Sequence, residues 1–170
     1  LSYIGRINYD LMGRYLLSVS VRMDGSSRFG PENRWGFFPA ASLGYILSEE
    51  EYFTPLTGVV NFLKIRASYG IVGNAEMGNY RFYSTYTTRN YDGNTGIHVE
   101  NIGDDQLGWE ETAQLNAGLS FQLLDGRFSG ELDYYIKTTT DLLLGWPVSR
   151  FTGVTSVTKN IGELENKGIE

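Results

Sequence analysis

The side chains that could perform chemistry in this 170-residue chain are few and poorly grouped for catalysis. The chain has no cysteine and one histidine, His98, and neither Ser26 nor Ser27 lies in the sharp turn that presents a nucleophilic serine. Glu49–Glu51 and Glu110–Glu111 are neighbours along the chain, whereas glycoside hydrolysis needs two carboxyl groups that converge from separate elements. We therefore expect no enzyme, no catalytic residue and no cofactor.

Recognition of a ligand is the chemistry that remains. Asp92, Asn94 and the pair Asp104–Asp105 supply oxygen atoms, but their spacing is typical of turns and not of a calcium loop, so no metal is expected. The net charge of −6 disfavours nucleic acid, which requires a basic surface. Aromatic rings in loops could stack on sugars and amides could bond to a ligand, although such aromatics more often pack against neighbouring loops. Candidate substrate contacts are Trp35, Asn74, Tyr80, Tyr91 and Trp109.

The hydropathy pattern predicts that strands position these loops. Odd residues are apolar and even residues are mostly polar in Tyr15–Asp24, and the same separation is complete in Ala113–Leu123. No long segment repeats every three to four residues, and the one helical candidate is the short stretch Ser48–Glu51, which Ser48 could cap. We predict an all-β fold with strands over residues 2–10, 15–24, 36–47, 62–71, 109–124 and 127–137.

Strand and loop lengths favour an antiparallel transmembrane β-barrel segment. The alternation persists for about ten residues, the length that a tilted strand needs to cross a bilayer, whereas strands of soluble sandwiches average five or six. The segment would be a long meander of about seven to nine strands, with short periplasmic turns and long extracellular loops. Tight turns fall at residues 10–14 and 125–127, and long links fall at residues 25–34, 72–108 and 138–160.

Two features of the fold stay open at this point. The link over residues 72–108 must hold an even number of additional strands, so we expect a hairpin there that includes Tyr80–Thr88. Alternation alone does not tell whether the apolar face meets lipid or a second sheet. A small self-contained outer-membrane barrel and a soluble carbohydrate-binding β-sandwich therefore remain alternatives.

Several motifs resemble a known barrel family. Gly13–Ser18, Arg22–Gly30 and Arg34–Pro39 occur in the same order as in the SusC/RagA family of TonB-dependent outer-membrane transporters. The similarity extends over nearly the whole chain. The further matching motifs are Leu63–Gly70, Gly73–Asn74, Leu107–Thr112, Asp133–Tyr135, Thr139–Leu144 and Asn160–Glu170.

We expect this chain to be an internal segment of a longer protein, which we call the parent protein. The resemblance implies a role for that parent protein. Family members import oligosaccharides or peptides through a plugged lumen, beneath a SusD-like surface lipoprotein, with energy supplied by TonB through the plug. Residues 1–170 would then form a partial β-barrel domain in the cell outer membrane of a Gram-negative, Bacteroidetes-like bacterium. We expect the plug, the TonB box and the N-terminal domain to be absent from this segment.

The two faces of the strands acquire separate expected roles from this resemblance. The apolar face would contact outer-membrane lipid, and the polar face would line the lumen and meet the plug. Mixed charges on the polar face would form cross-strand pairs and plug contacts, or would simply be hydrated; both interpretations stay open. The residues expected to face the lumen are Arg6, Arg22, Lys64, Arg66, Asn116, Glu131 and Asp133.

Overall fold

The computed structural model describes the backbone of residues 1–170 and every side chain except that of Tyr91. Tyr91 is one of the candidate substrate contacts, so that prediction lies outside the described side chains. The described chain contains eleven strands, all paired antiparallel. They are β1 (Ser2–Leu11), β2 (Tyr15–Gly25), β3 (Trp35–Ile46), β4 (Val60–Asn74), β5 (Thr85–Tyr91), β6 (Asn94–Asn101), β7 (Glu110–Leu123), β8 (Phe128–Thr140), β9 (Leu143–Pro147), β10 (Ser156–Asn160) and β11 (Glu163–Ile169).

Seven strands form one main sheet in the order β1-β2-β3-β4-β7-β8-β11. The six strands predicted from alternation are all present in it, with ends that differ by a few residues. Strands β5–β6 and β9–β10 form two separate hairpins that interrupt the meander without entering the main sheet. The register pairs residues of the same face directly across neighbouring strands. One such row across six strands is Tyr9, Leu17, Leu43, Ala67, Ala117 and Tyr134.

The apolar face of the main sheet is exposed. Leu43 is 62% exposed and Leu132 is 53% exposed, although both are large apolar residues in the middle of a strand. The even, mostly polar residues of β2 are more covered than its odd, apolar ones. In β2 the exposed residues are Tyr15, Leu17, Val19, Val21 and Met23.

Burial in this chain is concentrated away from the apolar strand face. A soluble sandwich would bury that face against a second sheet, but none covers it in the described part of the chain. The main sheet is therefore inverted relative to a sheet of a soluble protein, meaning that its apolar face is exposed and its polar face is the more covered one. This arrangement disfavours the soluble sandwich. The buried apolar residues among those described are Phe29, Phe38, Phe53, Phe82, Leu107 and Val157.

Two of the three connections at one end of the main sheet, β1–β2 and β7–β8, are short. Three residues, Met12–Arg14, join β1 to β2; Met12 and Gly13 take left-handed φ values of 58° and 68°, and Arg14 N donates to Leu11 O at 3.1 Å. The link from β3 to β4 is longer and holds two 3₁₀ helices, Leu47–Glu49 and Glu51–Leu56. None of the helices in the described chain has the length and apolar character needed to cross a membrane.

The predicted helical turn at Ser48 is confirmed as helical, but the predicted cap is wrong. The first 3₁₀ helix begins at Leu47, so Ile46 occupies the N-cap position and no side chain caps it. Ser48 lies inside the helix, and its buried Oγ has no hydrogen-bond partner. The physical reason is that β3 continues to Ile46, which moves the start of the helix one residue before the serine.

The links at the opposite end are long and contain the two hairpins. The hairpin expected within residues 72–108 is present as β5–β6, but it begins at Thr85, because Tyr80 lies in a turn with a φ of 61°. Hairpin β9–β10 was not predicted. Its strands have five residues each, too few for alternation to stand out from the surrounding loop.

A small hydrophobic core joins these long links. Phe29, Phe82 and Leu107 come from three different loop segments and pack together, with Leu107 only 1% exposed. The side chain of Asn160 adds two bonds to the same region, because it accepts from Gly108 N at 2.8 Å and donates to Gly108 O at 3.0 Å. The loops are therefore packed against one another at this end of the main sheet.

We predict that Leu107→Ala loosens the loops without disturbing the main sheet. Removal of a fully buried leucine side chain costs about 2–5 kcal/mol. In the parent protein, amides of residues 26–34 and 75–109 should exchange faster with deuterium, while those of β2 and β3 should not change. Leu56→Ala is the control, since Leu56 is 55% exposed in the β3–β4 link. An equal effect of both substitutions would contradict the assignment of Leu107 to a core.

We also predict that arginine is tolerated on one face of β3 and not on the other. Leu43→Arg places a charge on the face expected to meet lipid and should lower the free energy of unfolding by about 2–4 kcal/mol. Ser42→Arg changes the adjacent residue on the polar face and should cost far less. Urea unfolding of the parent protein in lipid vesicles measures both. Similar costs for the two variants would mean that the face assignment is wrong.

Candidate functional site

The polar face of the main sheet forms an open depression of about 910 Å³. Residues of β1, β2, β3, β4, β7 and β8 all line it, so the sheet curls around its polar face. Short polar side chains form part of its floor. Asn116 Nδ2 donates to Ser68 Oγ at 3.2 Å, and Gln114 Nε2 donates to Asn116 Oδ1 at 3.0 Å. The depression can therefore hold water or a polar chain segment, but it offers no enclosed pocket.

An ionic cluster centred on Arg66 lies in this depression. Arg66 on β4 is in register with Gly118 on β7 and Asp133 on β8, so its side chain crosses the middle strand to reach the carboxylate. Arg66 Nε donates to Asp133 Oδ1 at 3.2 Å, and Nη2 also bonds Asp133 Oδ2. Arg66 Nη2 donates to Glu131 Oε2 at 3.1 Å, and Nη1 donates to Ser120 Oγ at 2.7 Å. One guanidinium thus serves two carboxylates, which leaves the cluster with one net negative charge.

The other residues expected on the polar face are more scattered. Lys64 and Asn116 line the same depression as the Arg66 cluster, whereas Arg6 is exposed near one edge of the sheet. Arg22 lies further along β2 and forms an ion pair with Asp24, with 2.7 Å between Arg22 Nε and Asp24 Oδ2. The angles at these atoms do not meet those of a hydrogen bond. The Arg22 guanidinium also lies 5.6 Å from the centre of the Phe38 ring, within the range of a cation–π contact.

The structure does not bring the candidate substrate contacts together. Trp35 begins β3 on the apolar face, where its ring stacks on Tyr3 with the centroids 6.1 Å apart. Trp109 is half-buried, with its ring centroid 5.2 Å from Phe29 and 5.3 Å from Phe38. Both rings already pack against other aromatic side chains, so their positions argue against stacking on a sugar. The sequence could not distinguish a packed aromatic ring from one that is available to a ligand, because the residue type and its place in a loop are the same in both cases.

Asn74 is the last residue of β4, and Tyr80 lies in a turn that follows it. The Asn74 side chain accepts from Glu76 N at 2.9 Å and donates to Glu110 Oε1 at 3.3 Å, so it closes a turn. Tyr80 is 67% exposed and stays a candidate contact. Among the residues whose side chains are described, no group of three or more histidine, cysteine or acidic residues could hold a metal ion.

A second cleft was missed by the sequence analysis. A groove of about 410 Å³ lies between hairpin β5–β6 and the segment 153–156, and it includes Arg81, Arg89 and His98. Hydropathy gave no indication of it, since the groove forms only when two distant loops meet. The signal that was available is the presence of three basic residues in one long link of an acidic chain.

Known proteins resemble this chain over almost its full length. The family described as TonB dependent receptor-like, beta-barrel matches residues 2–170. TonB-dependent receptor P39 of Formosa agariphila is 43% identical over 170 residues, covering 99% of this chain and 16% of the relative. TonB-dependent receptor SusC of Bacteroides thetaiotaomicron is 38% identical over 178 residues, covering 99% of this chain and 18% of the relative.

A solved structure shows the same fold. The RagAB peptide importer in its closed-closed state superposes on this chain with a TM-score of 0.90 and 32% identity, covering 99% of this chain and 18% of that chain. The chain therefore spans less than a fifth of the length of these relatives. The match over residues 2–170, together with an inverted antiparallel sheet, shows that this chain belongs to the TonB-dependent receptor-like β-barrel family.

Proposed function

We propose that this chain forms part of the barrel wall of an outer-membrane TonB-dependent nutrient importer. The observation that carries the proposal is the inverted main sheet, with an exposed apolar face and a polar, concave one. Such a sheet is stable when lipid covers the apolar face and when neighbouring strands satisfy the backbone, because the bilayer core offers no water to unpaired groups. Membership of the family places the chain in the cell outer membrane.

Residues 1–170 are proposed to be a partial barrel domain within a longer chain. Strands β1 and β11 lie at the two edges of the main sheet, and their outer backbone groups are available to further strands. Coverage of less than a fifth of the relatives supports the same proposal. The plug that would fill the lumen and the TonB box that would contact TonB belong, in this proposal, to other parts of the parent protein.

The proposed substrate of the parent protein is an oligosaccharide or a peptide, taken up with a SusD-like lipoprotein over the extracellular mouth. The support is similarity to the RagAB peptide importer and to SusC, together with the concentration of the long links at one end of the sheet. The core of Phe29, Phe82 and Leu107 holds three segments of these links in one arrangement. Packed loops of this kind present a defined surface to a substrate or a lid.

The polar face is proposed to line the lumen and to contact the plug. The Arg66 cluster suits a hydrated interior, since Glu131 is bonded to Arg66 yet its side chain is 62% exposed. Gly118 makes the cluster possible. A Cβ atom on Gly118 would overlap Asp133 Oδ1 and would lie 2.6 Å from Arg66 Nε, so any larger residue displaces the crossing guanidinium.

We predict that Gly118→Ala separates Arg66 from Asp133 and lowers the free energy of unfolding by about 1 kcal/mol, because a partly exposed ion pair contributes no more than that. Gly5→Ala is the matched control, since a Cβ on Gly5 would meet nothing within 4 Å. Urea unfolding of the parent protein in detergent gives both values. In an Asp133→Asn background the cost of Gly118→Ala should shrink, and an unchanged cost would show that the clash does not act through the ion pair.

Transport by the parent protein is tested by uptake of labelled substrates into cells. Deletion of the gene for the parent protein and deletion of the gene for TonB should abolish accumulation of the same labelled peptide or oligosaccharide. Re-expression of the parent protein should restore uptake only in cells that contain TonB. Restored uptake in cells without TonB, at equal amounts of parent protein in the outer membrane, would contradict the proposed function.

A further inference from the structure

The groove between hairpin β5–β6 and the segment 153–156 has the features of a binding site for an acidic group. One wall is the face of the hairpin that carries Arg89 and His98, and Arg81 lies beside it. The opposite wall includes Thr155 and Ser156, whose hydroxyl groups can donate hydrogen bonds. The groove lies among the long links and is distinct from the depression that holds the Arg66 cluster.

The basic residues of the groove are held in place by the fold. The register of β5 and β6 sets Thr87 directly opposite His98, and Arg89 follows two residues later on the same face of β5. Buried Asn101 fixes the chain at Arg81, since its Nδ2 donates to Arg81 O at 3.1 Å and to Tyr83 O at 2.8 Å. Arg81 Nη1 in turn donates to Asn101 Oδ1 at 3.4 Å.

The two arginines of the groove form no ion pair with a carboxylate of the described chain. Arg14, Arg22, Arg66 and Lys167 form the ion pairs between described side chains, and neither Arg81 nor Arg89 is among them. Glu100 also lines the groove but forms no ion pair with these residues. In a chain with 20 acidic and 14 basic residues, guanidinium groups without a carboxylate partner are available to an external one.

We infer that this groove binds a carboxylate of an acidic peptide. Arginine presents paired N–H donors that match the two oxygens of a carboxylate, and such charge-assisted bonds are about twice as strong as neutral ones. The described residues that line the groove include no phenylalanine, tyrosine or tryptophan, so the recognition that they offer is by charge and hydrogen bonds. The inference rests on the proposed importer function and specifies the chemistry of its substrate.

The first experiment compares fluorescent tetraglutamate and tetraglutamine as probes of the purified parent protein in detergent, by fluorescence anisotropy. The two peptides have the same length and differ in charge. Tetraglutamate should bind about tenfold more tightly, as expected for hydrogen bonds to a charged group. Its affinity should fall as NaCl is raised from 50 to 500 mM, because salt screens the attraction. Equal affinities for the two peptides would overturn the inference.

Substitutions then locate the binding. Arg89→Gln and Arg81→Gln should each weaken tetraglutamate binding several-fold and leave tetraglutamine binding unchanged. Arg89→Lys should keep part of the affinity, since it retains the charge but not the paired donors. Arg127→Gln is the matched control, because it removes the same charge from an exposed turn at the opposite end of the sheet. If Arg127→Gln weakens binding as much as Arg89→Gln, the groove is not the site.

Two further outcomes separate this inference from the proposed function. Parent protein that supports TonB-dependent uptake but does not prefer tetraglutamate would overturn the inference alone. Parent protein that prefers tetraglutamate through Arg89 but supports uptake without TonB would overturn the proposed function alone.

Tighter binding of an acidic oligosaccharide such as tetragalacturonate than of tetraglutamate would overturn the assignment to peptides. If Arg89→Gln fails to assemble, Arg89→Lys keeps the charge and locates the binding instead, because partial loss of tetraglutamate affinity with this variant still assigns the groove and an unchanged affinity overturns it.

Discussion

Backbone pairing within a sheet that has lipid on one side is the constraint on which the rest of this structure depends. A bilayer core cannot satisfy an unpaired N–H or C=O group, so each strand of the main sheet must find its partners in neighbouring strands. Pairing between neighbouring strands keeps the side chains in register from β1 to β8, with residues such as Leu17, Leu43 and Leu132 apolar on one face and mostly polar residues on the other. The inverted exposure of the two faces follows directly from this requirement.

The same constraint determines where chemical variety is allowed. On the concave face, charged residues are acceptable because water and other protein segments can satisfy them, and Arg66 can span three strands because Gly118 leaves its path clear. At the end with long links, the backbone is outside the bilayer, so loops can form a core around Leu107 and two additional hairpins. The proposed ligand contacts therefore lie in the long links at one end of the main sheet and not in the strands of that sheet.

Particular residues show how far prediction from sequence reached. Strand β7 was predicted within one residue at each end, since its alternation is complete over Ala113–Leu123. Hairpin β9–β10 was missed because five-residue strands carry too little periodic signal. The stacking roles suggested for Trp35 and Trp109 are opposed by their contacts with Tyr3 and Phe29, because a residue type shows what a side chain can do and not what already occupies it.

The sequence by itself determined six of the seven strands of the main sheet, their antiparallel order, the separation of an apolar and a polar face, and the family. All of these depend on a period of two or on motifs contiguous in the chain, and both can be read locally. Only the tertiary structure decided that the apolar face is left uncovered, that Arg66 reaches Asp133 across β7, and that Arg81 and Arg89 line one groove. These arrangements join residues far apart in the sequence, and the curvature of the sheet and the packing of the loops, which no local pattern encodes, set their distances.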